Sequence, residues 1–251
     1  VKGDKNTATN YLTTVEQRLG AQHNQEKLYN HLLFSYLNFA NGNLAEATQH
    51  AADARRLAQA SEDARAQTEV LLWQGEICLL TANWSCLENS LETVTPTISQ
   101  ERHEQFAVYQ WLTLGLKHHL GTLNNERDEI YNTLVDNSNV PVITEIKILL
   151  DMQQRLSLSE NSSAMEKLSS LIKPTYYQPY LQWLYVRASL GDEESIEKLK
   201  QKLALYPTYW RNHLYYRAIP GKEDTVEKLT TQWLSQLPEE QVGDYRNAYF
   251  D

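Results

Sequence analysis

No apolar run in this chain approaches the roughly 20 residues that a membrane-spanning helix requires; Ile77 to Leu80 is typical of what it offers. Basic residues are in short supply, with 23 Lys and Arg against 32 Asp and Glu and a formal charge of −9. That balance argues against a general nucleic-acid surface, because phosphate binding draws on clustered cations. Pairs such as Arg55-Arg56 are too short to reverse it. Gly (9) and Pro (7) are sparse among 251 residues, and no composition shift marks a flexible linker, so one continuous body is the simpler reading. The sequence also contains no HExxH, no paired-Cys zinc spacing and no Gly-rich phosphate loop, which removes the metal and nucleotide chemistries that such motifs announce.

Only two cysteines occur, Cys78 and Cys86, eight residues apart across a predicted helix turn. That spacing suits either a bridge between the two helices of one hairpin or two small buried thiols. Together with a composition rich in Asn, Gln, Thr and Tyr, the pair points toward an oxidising, extracytoplasmic compartment rather than the cytoplasm. The chain starts at Val1 without an initiator Met or a targeting segment. The expectation is a domain cut from a longer protein, with a processed protein as the alternative.

What is present is a recurrent break between helical patterns. Gly42-Asn43-Leu44, Ala82-Asn83-Trp84 and Thr122-Leu123-Asn124 follow one another at 40-residue intervals. A looser break near Asn161 continues the spacing, and Gly191-Asp192 and Gly221-Lys222 follow at a shorter one, which makes six hairpins. Apolar residues flank the breaks at intervals of three and four, as in Leu32, Leu33, Tyr36 and Leu37 and then Ala47, Ala51, Ala54 and Leu57. This is the period of an α-helix, and no stretch alternates as a strand would. Pro96, Pro141, Pro174, Pro207 and Pro238 fall between hairpins, where a missing N–H costs little. An all-α fold is predicted.

The hairpins resemble those of the tetratricopeptide-repeat family, which places small residues where its two helices cross and a Pro at the hairpin's end. Ser35, Gly42, Leu44, Ala47 and Ala54 match those positions in the first hairpin, Gly75, Asn83 and Trp84 in the second, and Trp111 and Gly115 in the third. Ile196, Leu203 and Pro207, then Trp210, Gly221, Trp233 and Pro238, match later; Leu87 and Val94 replace small residues in the second hairpin. The resemblance implies a single right-handed α-solenoid of about six TPR-like hairpins with a capping helix at each end. Its parts would be a lead-in helix in 1–25, regular hairpins over 26–137, a degenerate hairpin over 138–174, two shorter hairpins over 175–238 and a C-terminal cap over 239–251.

Few residues point to catalysis. His118-His119 is a tempting metal pair, but adjacent residues on a helix diverge by about 100°, so no metal and no cofactor are expected. Asn83-Trp84-Ser85 and Asn161-Ser162-Ser163 fit the glycosylation sequon, although Asn83 reads better as a turn residue. The surplus lies in aromatics, 15 Tyr and 6 Trp, most of which would fill the gaps between hairpins. The resemblance puts a subset on the concave face: Tyr29, Tyr36, Phe39, Glu69, Glu76, Tyr109, His119, Tyr185, Arg211 and Tyr215. Aromatics with a few charges suit a protein or peptide partner, or a small effector.

The expected function is therefore a non-enzymatic interaction scaffold, the regulatory or sensory part of a larger bacterial protein. The repeats look similar to those of large inducer-sensing transcriptional activators and to the extracytoplasmic half of membrane-anchored winged-helix regulators. A carbohydrate-active enzyme on a helical scaffold is the alternative, with Tyr and Trp stacking sugars. Oligomeric state stays open.

Overall fold

In the computed structural model, which describes residues 5–20, 23–61, 63–98, 103–122 and 177–250, regular structure is entirely helical among the described residues. The helices are α1 (Lys5–Arg18), α2 (Asn24–Ala40), α3 (Leu44–Gln59), α4 (Ala64–Leu80), α5 (Trp84–Val94) and α6 (His103–His119), followed by α7 (Tyr177–Ser189), α8 (Glu193–Leu205), α9 (Asn212–Tyr215), a 3-10 turn (Tyr216–Ala218), α10 (Glu223–Leu234) and α11 (Glu239–Tyr249). None is long and apolar enough to cross a membrane. The loose break near Asn161, its sequon, Leu123-Asn124, Pro141, Pro174 and the degenerate hairpin over 138–174 lie outside the described residues.

The chain divides into two compact units. The first holds Val1–Ser99, Thr208–Trp210 and Thr231–Asp251, and the second holds Gln100–Pro207 and Arg211–Thr230.

Turn chemistry makes the hairpins. After α2, the N–H of Gly42 donates to Phe39 O and that of Asn43 to Asn38 O, both at 2.9 Å. The same pair of bonds closes α4, from Ala82 to Leu79 O and from Asn83 to Cys78 O, and closes α7, from Gly191 to Ala188 O and from Asp192 to Arg187 O. This closure needs one residue in the left-handed region. Gly42 supplies it at φ 76°, and a Cβ there would also sit 3.1 Å from Thr208 O, so glycine is required twice over. Ala82 adopts φ 55° with a side chain, at a cost of about 1–2 kcal/mol. Asn83 then caps α5 through Cys86 N, Asp63 caps α4 through Arg65 N and Ala66 N, and Asp192 caps α8 through Ser195 N. Asn83 is thus a capping turn residue, and its side chain also donates to Gln241 Oε1.

In the first unit α2 pairs with α3, α4 with α5, and α3 packs on α4. The buried stripe Ala47, Ala51, Ala54 and Ala58 lets α3 lie close to its neighbours, whereas α5 buries the bulkier Leu87, Leu91 and Val94 against α4. The interior is aromatic. Phe39 meets Trp73 edge-on, Trp210 at 5.1 Å and Trp233 at 6.0 Å, and Trp233 continues to the fully buried Tyr245.

Residues far along the chain complete helix ends in this unit. Leu44 N–H, at the start of α3, donates to Gln236 Oε1 at 2.9 Å. At the end of α4, Thr81 O accepts from Gln241 Nε2 at 2.6 Å and Leu79 O from the Tyr249 hydroxyl at 3.2 Å. A stack in which each hairpin met only its sequence neighbours would leave these groups to water. Here α11 is tied to the α4–α5 turn.

Cys78 and Cys86 are joined as a disulfide, with Cα atoms 5.7 Å apart, across that same turn. Closing so short a loop restricts the unfolded chain by about 2.5 kcal/mol. Reduction, or paired Cys78→Ala and Cys86→Ala substitution, is expected to lower the melting temperature by several degrees. Equal melting curves with and without reductant would show that the bridge contributes nothing.

In the second unit α7 packs on α8, and α9 with its 3-10 turn packs back on α7. Leu181, Leu184, Leu199, Leu203, His213 and Tyr215 fill the interior, and Asn212 Nδ2 donates to Tyr206 O at 2.6 Å. Helix α6 buries Ala107 and Leu112. The helix before Gly221 is only α9 and its 3-10 turn, which ends at Ile219, extended at φ −109° and ψ 112° ahead of Pro220.

Candidate functional site

Helix α2 buries Leu28, Leu32, Ser35 and Phe39 along one stripe. Tyr29, Leu33 and Tyr36 each sit one residue further along, on the stripe's shoulder, where they line up at i, i+4 and i+7 beside α4. Leu33 is 53% exposed and Tyr36 40%, large values for an adjacent apolar pair. On α4 the matching row is Glu69, Trp73 and Glu76.

The two rows interlock. Tyr36 lies over Trp73 with ring centroids 3.7 Å apart. Trp73 Nε1 donates to Ser35 Oγ at 2.7 Å, and Ser35 Oγ donates to Ala47 O at 2.6 Å, so the indole is fixed from below. Tyr29 forms a hydrogen bond with Glu69. Burial, then the neighbouring Glu69 and Asp63, raises the Tyr29 pKa. Desolvation, with Glu76 and Glu69 nearby, holds the Tyr36 hydroxyl well above its ordinary range.

Glu76 is the unusual group. Its side chain keeps some surface open, yet desolvation of the carboxyl pushes its pKa from 4.5 to about 8. At neutral pH the face therefore presents a protonated carboxyl and the Tyr36 hydroxyl beside exposed apolar surface. Such groups can donate to carbonyl or hydroxyl oxygens. The carboxyl can also ionise when a cation arrives.

Of the residues expected to line one concave face, Tyr29, Tyr36, Glu69 and Glu76 come together here. Phe39 does not: it is 3% exposed, because three tryptophans enclose it. In the second unit Tyr215 is likewise interior at 1%, with its ring 5.7 Å from Tyr185 and its hydroxyl on Gln182 Oε1 and bonded to Arg211. Burial raises the Tyr215 pKa, and Arg211 opposes the shift. Tyr215 is therefore an anchor for the half-buried Tyr185 and Arg211 rather than a contact surface. Tyr109 is half-buried in α6, and His119 is exposed at its end.

Two features escaped sequence reasoning. A cleft of about 320 Å³ opens between α3, α4 and α5, lined by Ala51, Arg55, Gln74, Ile77, Ser90 and the Cys78–Cys86 pair; Arg55 Nη1 donates to Gln74 Oε1 at 3.2 Å across it. The other is a pair of histidines, His31 on α2 and His50 on α3, with Nδ1 atoms 2.9 Å apart. They stand on opposite arms of one helical hairpin, 11 residues before and 8 after Gly42, and that shared hairpin was the available signal. Comparison with protein-family models, with curated proteins and with solved structures finds no match to this chain.

Proposed function

We propose that this chain is a non-catalytic scaffold of TPR-like hairpins, stacked as a right-handed solenoid, whose α2–α4 face binds a protein or peptide segment. The observation that carries the reading is the exposed Leu33–Tyr36 pair next to a carboxyl kept neutral by its surroundings. Leaving that surface bare is unfavourable on both counts, and one ligand relieves both: a segment with apolar side chains flanking a Lys or Arg. The apolar groups cover Leu33 and Tyr36, and the cation favours the ionised form of Glu76. A part in a larger bacterial regulator rests on the repeat resemblance and on nothing at this face.

Panning a displayed random-peptide library on the protein at pH 8 tests the proposal. Enriched peptides are expected to carry a basic residue between apolar ones and to bind Tyr36→Ala and Glu76→Ala variants at least roughly tenfold more weakly. Their affinity should rise from pH 6 to pH 8, because below the Glu76 pKa of about 8 binding must first displace its proton. Peptides that bind both variants as tightly as the parent would overturn the assignment.

The same Glu76 favours one other reading, a carbohydrate-active enzyme in which a carboxyl still protonated near neutrality serves as proton donor. That reading requires turnover in a polysaccharide panel, with a basic limb near pH 8 and loss of activity in Glu76→Gln.

A further inference from the structure

His31 and His50 face each other across the α2–α3 hairpin, away from the peptide-binding face. Their Nδ1 atoms stand 2.9 Å apart, within hydrogen-bond distance, with donor and acceptor set by the ring tautomers. His50 is held in plane by Phe34, stacked on it at 4.9 Å with an interplanar angle of 13°. Asp53 lies one turn further along α3 than His50. One ligand atom from each of the three side chains falls within 4.8 Å of the others, and all three are half-buried.

We propose that His31, His50 and Asp53 form a binding site for a divalent transition-metal ion of the zinc class. Two imidazole nitrogens and one carboxylate oxygen are the donor set that such borderline ions prefer over magnesium or calcium. Ligands of a tetrahedral ion at about 2.0–2.1 Å stand roughly 3.3 Å apart. The histidine nitrogens need open by only a few tenths of an ångström to admit one. Three protein ligands leave a fourth position for water or another carboxylate. Glu16 and Glu46 both lie close enough to act electrostatically on His50, which adds negative potential around the cation.

Second contacts aim the carboxylate. Gln49 Nε2 donates to Asp53 Oδ2 at 3.3 Å and Arg56 Nη2 to Oδ1 at 2.9 Å. The Arg56 side chain is 78% exposed, so it can swing into solvent when the ion takes its place. A bound ion would clamp α2 to α3 on the side opposite Tyr29, Leu33 and Tyr36. The proposal is independent of what that other face binds.

Titration calorimetry with Zn2+ and absorption spectroscopy with Co2+, both on the metal-stripped full chain, test it. The expected results are one saturable equivalent of Zn2+, Co2+ bands of a tetrahedral or five-coordinate site that Zn2+ displaces, and a melting temperature that rises with metal concentration. His31→Gln and His50→Gln should each weaken binding at least roughly tenfold, and Asp53→Asn less. Far-UV circular dichroism without metal reports whether each variant folds. Because His50 also packs on Phe34, His31→Gln is the decisive variant if His50→Gln is disordered. Absence of saturable binding in the parent chain, or equal binding by the folded His31→Gln protein, would remove the site.

Discussion

Replacing Trp73 by alanine is expected to lower the unfolding free energy by about 3–5 kcal/mol, the range for emptying a buried aromatic site. The indole is 4% exposed and sits between Tyr36 on one side and Phe39 on the other. Its loss opens a cavity in the α2–α4 contact. It also withdraws the donor on Ser35 Oγ, a hydroxyl with no exposed surface. Urea denaturation measures the change, and Trp73→Phe should cost clearly less because it keeps most of the ring while losing the Nε1 bond. The functional consequence reaches the surface, since Tyr36 rests directly on Trp73. Under mildly native conditions Trp73→Phe should therefore bind the selected peptides more weakly although it is folded. A Trp73→Ala protein as stable as the parent would mean that this cluster does not carry the packing assigned to it.

The second large effect is a pH dependence. Glu76 has a folded pKa of about 8, above the ordinary 4.5. Between those values the folded chain retains a proton that the unfolded chain has released, so stability falls as pH rises. The contribution is fully present below about pH 4.5 and is lost by about pH 8. At about 1.4 kcal/mol per unit, and discounted for the partly open side chain, the loss is on the order of 3 kcal/mol. Glu76→Gln keeps the shape and stays neutral. It should match the parent near pH 4.5 and exceed it in stability by roughly that amount at pH 8–9. Other titrating groups are common to both proteins and cancel in the difference. Parallel stability-against-pH curves would show that the carboxyl ionises normally.

The hairpin turns were legible because their causes are local. Gly42, Ala82 and Gly191 stand where an apolar helical pattern stops, and each is followed by a polar residue. Asn83 and Asp192 cap the next helix, whereas Leu44 takes its partner from Gln236 instead of Asn43. The alanines of α3 were equally readable, since a stripe at intervals of three and four has one use in a helix contact. The prediction of an all-α chain rested on nothing more than these patterns. Placement on a family's concave face was less secure. It put Phe39 and Tyr215 on a surface although both are interior, because family position sets the direction of a side chain but says nothing of what else the chain brings against it.

Helix formation in this protein is written within a few residues, where spacing, caps and turn conformation act over one or two turns of backbone. Burial is decided by segments far apart. Trp210 and Trp233 enclose Phe39, Gln236 and Gln241 satisfy backbone groups of α3 and the α4–α5 turn, and burial in the folded chain desolvates Glu76. The scarcity of apolar runs and of cationic clusters bounded the classes of partner from composition alone. The acidic–aromatic face and the facing histidines exist only once helices from different parts of the sequence meet, because desolvation and ligand geometry depend on distance in space rather than along the chain.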